Sequence, residues 1–454
     1  MIRLLTSIHR YLGIAVGVLM VMWCLSGVVM MYVSYPALDE GSRLVHLTPI
    51  VWSGCCRISD EALGNEASVE DIQLEMLVGR PVVRLHSGRT VRLIDLTTGA
   101  ALAGVSSEQA AAIAQRYASA GGVPREPRLL GMIDKDQWTV SGEFNRDRPV
   151  YRFSLNDAQH TEVYVSSVTG EAVQRTTGRE RFWNWLGAVP HWLCFTELRR
   201  HAQLWRQAVI AVSLVGCFLA GTGLYIGVRQ WIRRPAGDWS PYRGFNLWHH
   251  TAGLVFGLFA LTWILSGLLS MNPWGLLEGA GAGRERASLR GVAAPSGAQI
   301  KAAVRALAAA GPAGPAGVVS VVSGAAAPLN QSEIAWIARS LGAGVGAAPT
   351  LMTTEDDYYF GHHREAARLP VYRMIWRDGT RHYLDPVSGM LVAKMDRDAR
   401  GYRWLHEGLH RMDFTAALRG RPQWDVLTLL LMSGVTVLCV SGAYLGFRRV
   451  MGRR

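Results

Sequence analysis

Histidines recur in pairs along this chain, and each copy is set among the same neighbouring residues. His9 opens the text H-R-Y-L-G-I-A-V-G, and His249 opens H-H-T-A-G-L-V-F-G 240 residues later. A second repeat, at an offset of 219, relates His191 to His410. Neutral imidazole nitrogens bind metal ions, and two facing imidazoles are what a six-coordinate b-type haem requires. The four histidines are therefore candidate axial ligands of two haems.

Two further histidines leave the ligand set open. His250 is adjacent to His249, and His406 lies one helical turn before His410. Either could be a ligand, or could hold a ligand in place through a hydrogen bond. Any one of these histidines could simply anchor the end of its helix at the membrane interface. Anchoring, however, does not require equivalent histidines in both repeats.

The elements that must position the histidines are four apolar segments. A bilayer core of about 30 Å needs roughly 20 residues of helix. Four segments meet that length with almost no charge: 11–33, 208–228, 247–271 and 426–447. The first is too long for a cleaved signal peptide and lacks an A-x-A site. We therefore predict a polytopic α-helical membrane protein with four transmembrane helices in two parallel repeats.

Basic residues set the predicted orientation. Lys and Arg concentrate in short cytoplasmic loops, whereas long loops cross the membrane largely regardless of charge. Arginines precede the first span, fill the loop 229–246 and follow the last span. Both termini and that loop are predicted to be cytoplasmic, and segments 34–207 and 272–425 periplasmic, in a bacterial inner membrane. The net charge of +12 is then a topology signal, and it does not indicate nucleic-acid binding.

Glycines accompany the histidines of the first repeat. Gly13 and Gly17 lie four and eight residues after His9, and Gly253 and Gly257 have the same spacing from His249. Such a stripe falls on the same helix face as the histidine, where missing side chains leave room for a flat macrocycle. The alternative is that small residues simply let membrane helices pack closely.

Each outer segment contains alternating apolar and polar text that ends in turn residues, as half-buried antiparallel strands do. The clearest strands are 149–153 and 370–374, and 91–95 reads as an extra copy. Each segment is predicted to form a small α+β unit of its own.

Helices are predicted at 106–119, with Ser107 as N-cap, and at 298–309. The region 276–350 is rich in Gly and Ala and reads as a loosely ordered insert.

Six cysteines divide between the spans and the outer segments. Cys24, Cys217 and Cys439 are expected to act as small apolar residues in the membrane. Cys55, Cys56 and Cys194 lie in the first outer segment, where a disulfide to Cys194 is one option. The chain has no C-x-x-C-H motif, so covalent haem attachment is not indicated.

A run in the second outer segment is a further candidate site. Acids, aromatics and histidines crowd residues 355–363, and Tyr358, Tyr359, His362 and His363 could contact a ferric substrate or a metal. The spacing matches no standard zinc or calcium pattern, so a solvated loop is the competing interpretation.

The chain resembles the PepSY-associated transmembrane proteins of bacterial inner membranes, a family often linked to iron and siderophore uptake. The resemblance rests on W-N-W-L-G-A-V-P-H-W at 183–192, W-H-H-T-A-G-L at 248–254, S-G-L-L-S-M-N-P-W-G at 266–275 and G-L-H-R-M-D-F at 408–414. Within that family, at least one group is understood to reduce ferric siderophores with two b-type haems. The resemblance thus implies iron, siderophore and electron-transfer chemistry.

The predicted function is a haem b oxidoreductase that moves electrons across the membrane to a periplasmic acceptor, with a ferric siderophore as the expected class. His9 with His249, and His191 with His410, would hold the two haems. The electron donor would be a separate cytoplasmic protein, a quinol or a diffusible reductant. The alternative is a non-enzymatic membrane protein whose PepSY units bind a periplasmic protein or peptide.

Overall fold

The architecture is taken from a computed structural model of the chain. It describes residues 2–64, 71–87, 90–119, 125–275, 277, 281–282, 285, 296–309, 316–319, 329–341, 348–361, 367–386, 389 and 391–452.

Four helices among the described residues are long and apolar enough to cross a membrane. They are α1 (Ile2–Tyr32), α8 (Ala202–Ile232), α9 (Phe245–Ser270) and α15 (Gln423–Val450). The shortest, with 26 residues, is about 39 Å long at 1.5 Å per residue, which exceeds the roughly 30 Å hydrocarbon core. Two of them cover the predicted spans 208–228 and 426–447, and the other two end one residue before the predicted ends at 33 and 271, so the chain is an integral membrane protein.

The four long helices form an antiparallel bundle. Helices α8 and α15 each pack against both α1 and α9, so α1 and α9 occupy opposite corners. The packing is close: a Cβ built on Gly17 would lie 3.5 Å from the Ala443 backbone, and one on Gly434 only 2.4 Å from the Phe256 ring. We call the end with the chain termini and the 233–244 loop the terminal end, and the other the sheet end.

Shorter elements fill the two outer segments. The helices are α2 (Glu40–Leu44), α3 (Asp60–Leu63), α4 (Ser107–Ser119), α5 (Gly178–Leu186), α6 (Ala188–His191), α7 (Thr196–Arg200), α10 (Gly297–Ala309), α11 (Gln331–Leu341), α12 (Arg397–Tyr402), α13 (Leu409–Arg411) and α14 (Ala416–Arg419), with 3₁₀ turns at Gly142–Arg146 and Pro273–Gly275 and a π-helix at Arg403–Gly408. The strands are β1 (Asp71–Leu77), β2 (Arg80–Ser87), β3 (Thr90–Asp95), β4 (Ala101–Leu102), β5 (Arg128–Ile133), β6 (Val150–Ser154), β7 (Glu162–Ser166), β8 (Ala172–Thr176), β9 (Ala316–Val319), β10 (Thr350–Met352), β11 (Val371–Ile375), β12 (Arg381–Leu384) and β13 (Leu391–Met395).

Each outer segment contains a four-stranded antiparallel sheet in sequence order, β5-β6-β7-β8 in the first and β10-β11-β12-β13 in the second. The strands predicted at 91–95, 149–153 and 370–374 are confirmed as β3, β6 and β11 within a residue at either end. Helix α4 packs Ile113 and Tyr117 against Phe153 and Val163 of the first sheet. Helix α11 packs Ile334 and Ile337 against the second.

A third sheet joins the two outer segments, which the sequence did not predict. Its order is β4-β3-β2-β1-β9, and β9 comes from the second segment, with Ile72 opposite Val319. Helix α10 covers the same sheet with Ile300 and Val304. These two residues are four apart and share one helix face. That face packs against apolar residues of the first outer segment. The two segments are therefore not separate units.

The region 276–350 is also more structured than predicted. Helices α10 and α11 and strand β9 all lie within it, and α10 matches the predicted helix 298–309. The rest of that region is largely outside the described residues.

Two local predictions were wrong. The N-cap of α4 is Ser106, since its Oγ accepts from the Gln109 N–H at 3.3 Å while Gln109 Oε1 accepts from the Ser106 N–H at 2.9 Å. This reciprocal pair is a capping box, and it leaves Ser107 inside the helix.

The first segment's disulfide joins Cys55 to Cys56, and Cys194 is a free, buried thiol. Cys194 packs with Trp138 and Val189, whereas Cys55 and Cys56 pack on the third sheet, so the sulfurs belong to different cores.

Replacing Ile300 with Ala should therefore loosen strands of the other segment. Ile300 is fully buried, and removing such a side chain typically costs about 2–5 kcal/mol of stability. Hydrogen exchange of residues 71–95 should speed up in Ile300→Ala and stay unchanged in Arg305→Ala, whose side chain is exposed. Faster exchange confined to residues 296–341 would contradict the shared sheet.

Candidate functional site

The structure brings the predicted histidines together as two facing pairs. The rings of His9 and His249 have centroids 6.3 Å apart at the terminal end of the bundle. The rings of His191 and His410 have centroids 6.1 Å apart at the sheet end. Both pairs lie across the diagonal that separates α1 from α9.

The terminal pair is carried by long helices, and the sheet-end pair by short ones. His9 and His249 belong to α1 and α9, whereas His191 ends α6 and His410 lies in α13, which pack against α1 and α9 respectively. Two residues after each sheet-end histidine the backbone turns left-handed, at Leu193 (φ 50°) and Met412 (φ 57°). This conformation is costly for bulky residues, and it occurs at the same place in both copies.

At the terminal end, each imidazole is held by the helix beside it. His9 Nδ1 donates to the Leu219 carbonyl of α8 at 3.1 Å. His249 Nδ1 donates to the Leu438 carbonyl of α15 at 3.2 Å. Leu219 and Leu438 are separated by the same offset of 219 that relates the repeats.

At the sheet end, a serine and a carbonyl of a membrane helix hold each ring. His191 Nδ1 lies 3.1 Å from Ser26 Oγ and 3.2 Å from the Trp23 carbonyl oxygen. His410 Nδ1 lies 3.0 Å from Ser266 Oγ and also bonds the Trp263 carbonyl. The contacts are again equivalent in the two copies.

These bonds decide which ring nitrogen carries the proton. A carbonyl oxygen can only accept, so each Nδ1 is the protonated nitrogen and each Nε2 keeps its lone pair. No hydrogen bond reaches the Nε2 atom of any of the four histidines within the described part of the chain. All four therefore present a free ligand nitrogen, with the outer nitrogen anchored as in known metal sites.

The sheet-end histidines are also uncharged. Burial lowers the pKa of His191 to about 4, and burial together with the neighbouring His191 and His406 lowers the pKa of His410 to about 3. At pH 7 both imidazoles are neutral, which is the form that binds a metal ion.

Glycines sit directly against the rings of the terminal pair, but none of them belongs to the predicted stripe. A Cβ on Gly223 would lie 2.7 Å from His9 Cε1, and one on Gly442 would lie 2.9 Å from His249 Cε1. Gly27 is less close to its histidine: a Cβ there would lie 3.4 Å from His191 Cε1 and 2.7 Å from Met432 Cε. Any larger side chain at Gly223 or Gly442 would push the imidazole out of its position.

The predicted glycine stripe contacts neighbouring helices instead. The nearest atoms to a Cβ at Gly13 and Gly253 belong to Leu219 and Leu438, and Gly257 faces Leu224. Gly17 likewise contacts α15. These contacts agree with the alternative explanation of the glycine stripe, that small residues let the membrane helices pack closely.

The two additional histidines differ from the four. His250 uses both ring nitrogens within the protein, with Ser240 Oγ at 2.8 Å from Nδ1 and the Gly227 carbonyl at 2.9 Å from Nε2. His406, in the π-helix, bonds the Ser266 carbonyl through Nδ1 at 3.3 Å. Its ring stacks on His410 with centroids 5.2 Å apart. Here His406 supports a histidine of the pair, and His250 ties the 233–244 loop to α8.

Two partly buried tryptophans whose carbonyls contact the sheet-end pair each have an indole donor without a partner among the described residues. Trp23 and Trp263, whose carbonyls bond His191 and His410, have buried indole Nε1 atoms with no hydrogen-bond partner among the described residues. Buried N–H groups without partners are rare and costly. Equivalent orphan donors in both copies point to an acceptor that belongs in this space.

The candidate substrate residues of the second segment have structural partners. Tyr359 stacks on Tyr383 at 4.9 Å, and Arg381 lies over the Tyr358 ring at 4.2 Å. Asp356 accepts the Tyr383 hydroxyl and the Arg373 guanidinium, which fixes this loop. His362 and His363 lie outside the described residues.

Sequence reasoning missed the groups that hold the rings. Ser26 and Ser266 belong to the repeated W-x-x-S-G text, and Gly223 and Gly442 recur at the offset of 219. The repetition was visible, but the contacts to His191, His410, His9 and His249 depend on helix pairing, which repetition alone does not specify.

Comparison with known proteins identifies the family. The family model for the PepSY-associated TM region matches residues 6–445, essentially the whole chain. The chain therefore belongs to that family. No curated protein matches it significantly. No group of three or more His, Cys, Asp or Glu side chains placed to hold a metal ion occurs among the described residues, whereas a haem iron needs only two such ligands.

Replacing His250 with Ala should loosen the 233–244 loop, because it removes the hydrogen bond between Ser240 of the loop and His250 of α9, which contributes about 1 kcal/mol. Backbone amides of residues 238–244 should exchange several-fold faster, with no change at residues 5–20. His201→Ala, at an exposed position, is the control. Unchanged exchange in the loop would contradict the structural role of His250.

Proposed function

We propose that this protein is a haem b oxidoreductase of a bacterial inner membrane, which passes electrons across the bilayer to an outer acceptor such as a ferric siderophore. The proposal rests on family membership, on the two histidine pairs and on their positions at opposite ends of a membrane bundle.

The spacing of the imidazoles carries the proposal. A metal–imidazole bond is about 2.1 Å long and a ring nitrogen lies about 1.1 Å from the ring centre, so imidazoles on opposite sides of one metal have centres about 6.4 Å apart. The two pairs measure 6.3 and 6.1 Å. Packing alone does not require this spacing in both pairs, nor a lone pair left free on each inner nitrogen.

His9 and His249 would hold one haem, and His191 and His410 the other. A bound haem supplies a reversible one-electron change at iron, and the protein sets its position and potential. The residues of this chain orient the ligands through Nδ1 and keep space beside the rings at glycines. The indole N–H groups of Trp23 and Trp263, which find no acceptor in the described part of the chain, would offer hydrogen-bond donors to a polar group of the cofactor.

Equivalent contacts at fixed offsets support two parallel repeats around an approximate twofold axis along the bundle. Leu219 and Leu438 serve the terminal pair, and Ser26 and Ser266 serve the sheet-end pair. With the arginine-rich loop on the cytoplasmic side, the terminal pair would hold the haem nearer a cytoplasmic or quinol donor. The sheet-end pair would hold the haem nearer the outer acceptor.

Single histidine variants test the ligand assignment. His191→Ala should reduce the haem content of the purified protein from about two to about one per chain, because six-coordinate b-type haem depends on both axial ligands. His9→Ala should remove the other haem, and the double variant should bind none. Pyridine haemochrome analysis gives these stoichiometries.

His201→Ala, an exposed position on the sheet side whose ring nitrogens make no hydrogen bond to any described residue, is the matched control and should keep both haems. Full haem content in His191→Ala would overturn the assignment. Wild-type protein without haem would favour the alternative, a membrane protein whose outer units bind a periplasmic protein or peptide.

The serine contacts make a second prediction. Ser266→Ala removes the hydroxyl beside His410 Nδ1, and loss of such a partner typically weakens a metal site 10- to 100-fold. Haem transfer to apomyoglobin should therefore become about 10-fold faster from one of the two sites. Ser270→Ala, one turn away with its Oγ on the Gly267 carbonyl, should change neither site. Equally faster haem transfer from Ser266→Ala and Ser270→Ala would contradict a specific role of Ser266 in holding His410.

A further inference from the structure

Two cysteines from different membrane helices lie in contact. Cys24 of α1 and Cys439 of α15 are 415 residues apart in the chain, and their Sγ atoms are 3.9 Å apart. Both are free thiols. The Thr436 side chain, one turn before Cys439, also bonds the Cys24 thiol. Two thiols in contact can be oxidised to a disulfide, which is chemistry that small apolar residues do not offer.

The contact does not follow from the repeat. The positions related to Cys24 and Cys439 by the two repeat offsets are Ile264 on α9 and Ala220 on α8. Ile264 packs on α8, where its Cγ2 would lie 3.1 Å from a Cβ built on Gly216. The same helix contact is therefore made with aliphatic side chains in one half of the bundle and with two thiols in the other. Helix packing alone does not require the thiols.

The thiol pair lies next to the groups that hold both histidine pairs. The carbonyl immediately before Cys24 accepts from His191 Nδ1 at 3.2 Å. The carbonyl immediately before Cys439 accepts from His249 Nδ1 at 3.2 Å. Each cysteine is thus joined by one peptide bond to the support of an imidazole, and the two imidazoles belong to opposite ends of the bundle. A movement of the two sulfurs would reach both ends.

The thiols are accessible from the lipid side of the bundle. Both cysteines are partly exposed, and the residues that follow them, Leu25 and Val440, are 55% and 48% exposed. An oxidant of these thiols must dissolve in hydrocarbon. It must also accept protons together with electrons, because an isolated charge is costly in an apolar environment. A quinone meets both requirements.

We infer that Cys24 and Cys439 are a redox site, which a membrane quinone oxidises to a disulfide between α1 and α15. Two S–H bonds break and one S–S bond forms, while the quinone takes up the two electrons and two protons as the O–H groups of a quinol. An S–S bond is about 2.05 Å long, so the sulfurs must approach each other from 3.9 Å. This approach shifts the carbonyls that hold His191 and His249. The disulfide itself does not require haem, whereas its effect on bound haem rests on the proposed function.

The redox site is tested by counting thiols. Purified protein in phosphatidylethanolamine–phosphatidylglycerol nanodiscs is treated with decylubiquinone, denatured and alkylated with N-ethylmaleimide. Wild type should fall from four free thiols to two, with one quinol formed per chain and a Cys24–Cys439 cross-link in the peptide mass spectrum. Cys24→Ser should keep its three thiols. Cys217→Ser, the matched control in α8, should fall from three to one.

Copper phenanthroline, a stronger oxidant, separates the site from its oxidant. Four free thiols in wild type after treatment with either reagent would overturn the redox site. A Cys24–Cys439 cross-link formed by copper phenanthroline but not by decylubiquinone would overturn the quinone as oxidant.

The coupling to the histidine pairs is measured separately, by electron paramagnetic resonance of the oxidised haems. The cross-link should shift the g values of both low-spin signals, and Cys24→Ser treated in the same way should show no shift. Unchanged signals in fully cross-linked wild type would overturn the coupling. A protein that forms the cross-link but contains no haem would defeat the proposed function and leave the redox site standing.

Discussion

Each of the four paired histidines is held through Nδ1 by a carbonyl or hydroxyl oxygen of a different element of the bundle. Because a carbonyl accepts only, this bond fixes both the tautomer and the direction of Nε2. An imidazole inside a membrane bundle needs such a partner, since unsatisfied polar groups are costly in an apolar environment. The hydrogen bond that gives Nδ1 its partner also leaves the lone pair of Nε2 available to bind a metal ion.

The rest of the bundle follows from this constraint. The carbonyl of Leu219 can reach His9 only if α8 runs close to α1, and Gly223 permits that approach one turn later. Similarly, Gly442 leaves space for His249 one turn after its carbonyl partner, Leu438. The position of each imidazole therefore depends on how closely the helices pack. The two halves of the chain use the same residue types for that packing.

Sequence reasoning located the four spans, the strands β3, β6 and β11 and the histidines of both pairs, because long apolar runs, alternating strands and fixed-offset repeats are local patterns. It could not assign Ser26 or Leu219 as histidine partners, since those contacts depend on which helices become neighbours. It also treated the outer segments as independent. The pairing of β9 with β1 joins residues more than two hundred positions apart, and a short apolar strand does not specify its partner.

The central claim is that the two histidine pairs each hold a b-type haem. The most direct test is a reduced-minus-oxidised visible spectrum of the wild-type protein in mild detergent, combined with low-temperature electron paramagnetic resonance of the oxidised form. The account predicts low-spin haem b with two histidine ligands, at about two haems per chain. A colourless protein from haem-replete cells, or a single high-spin haem, would contradict it.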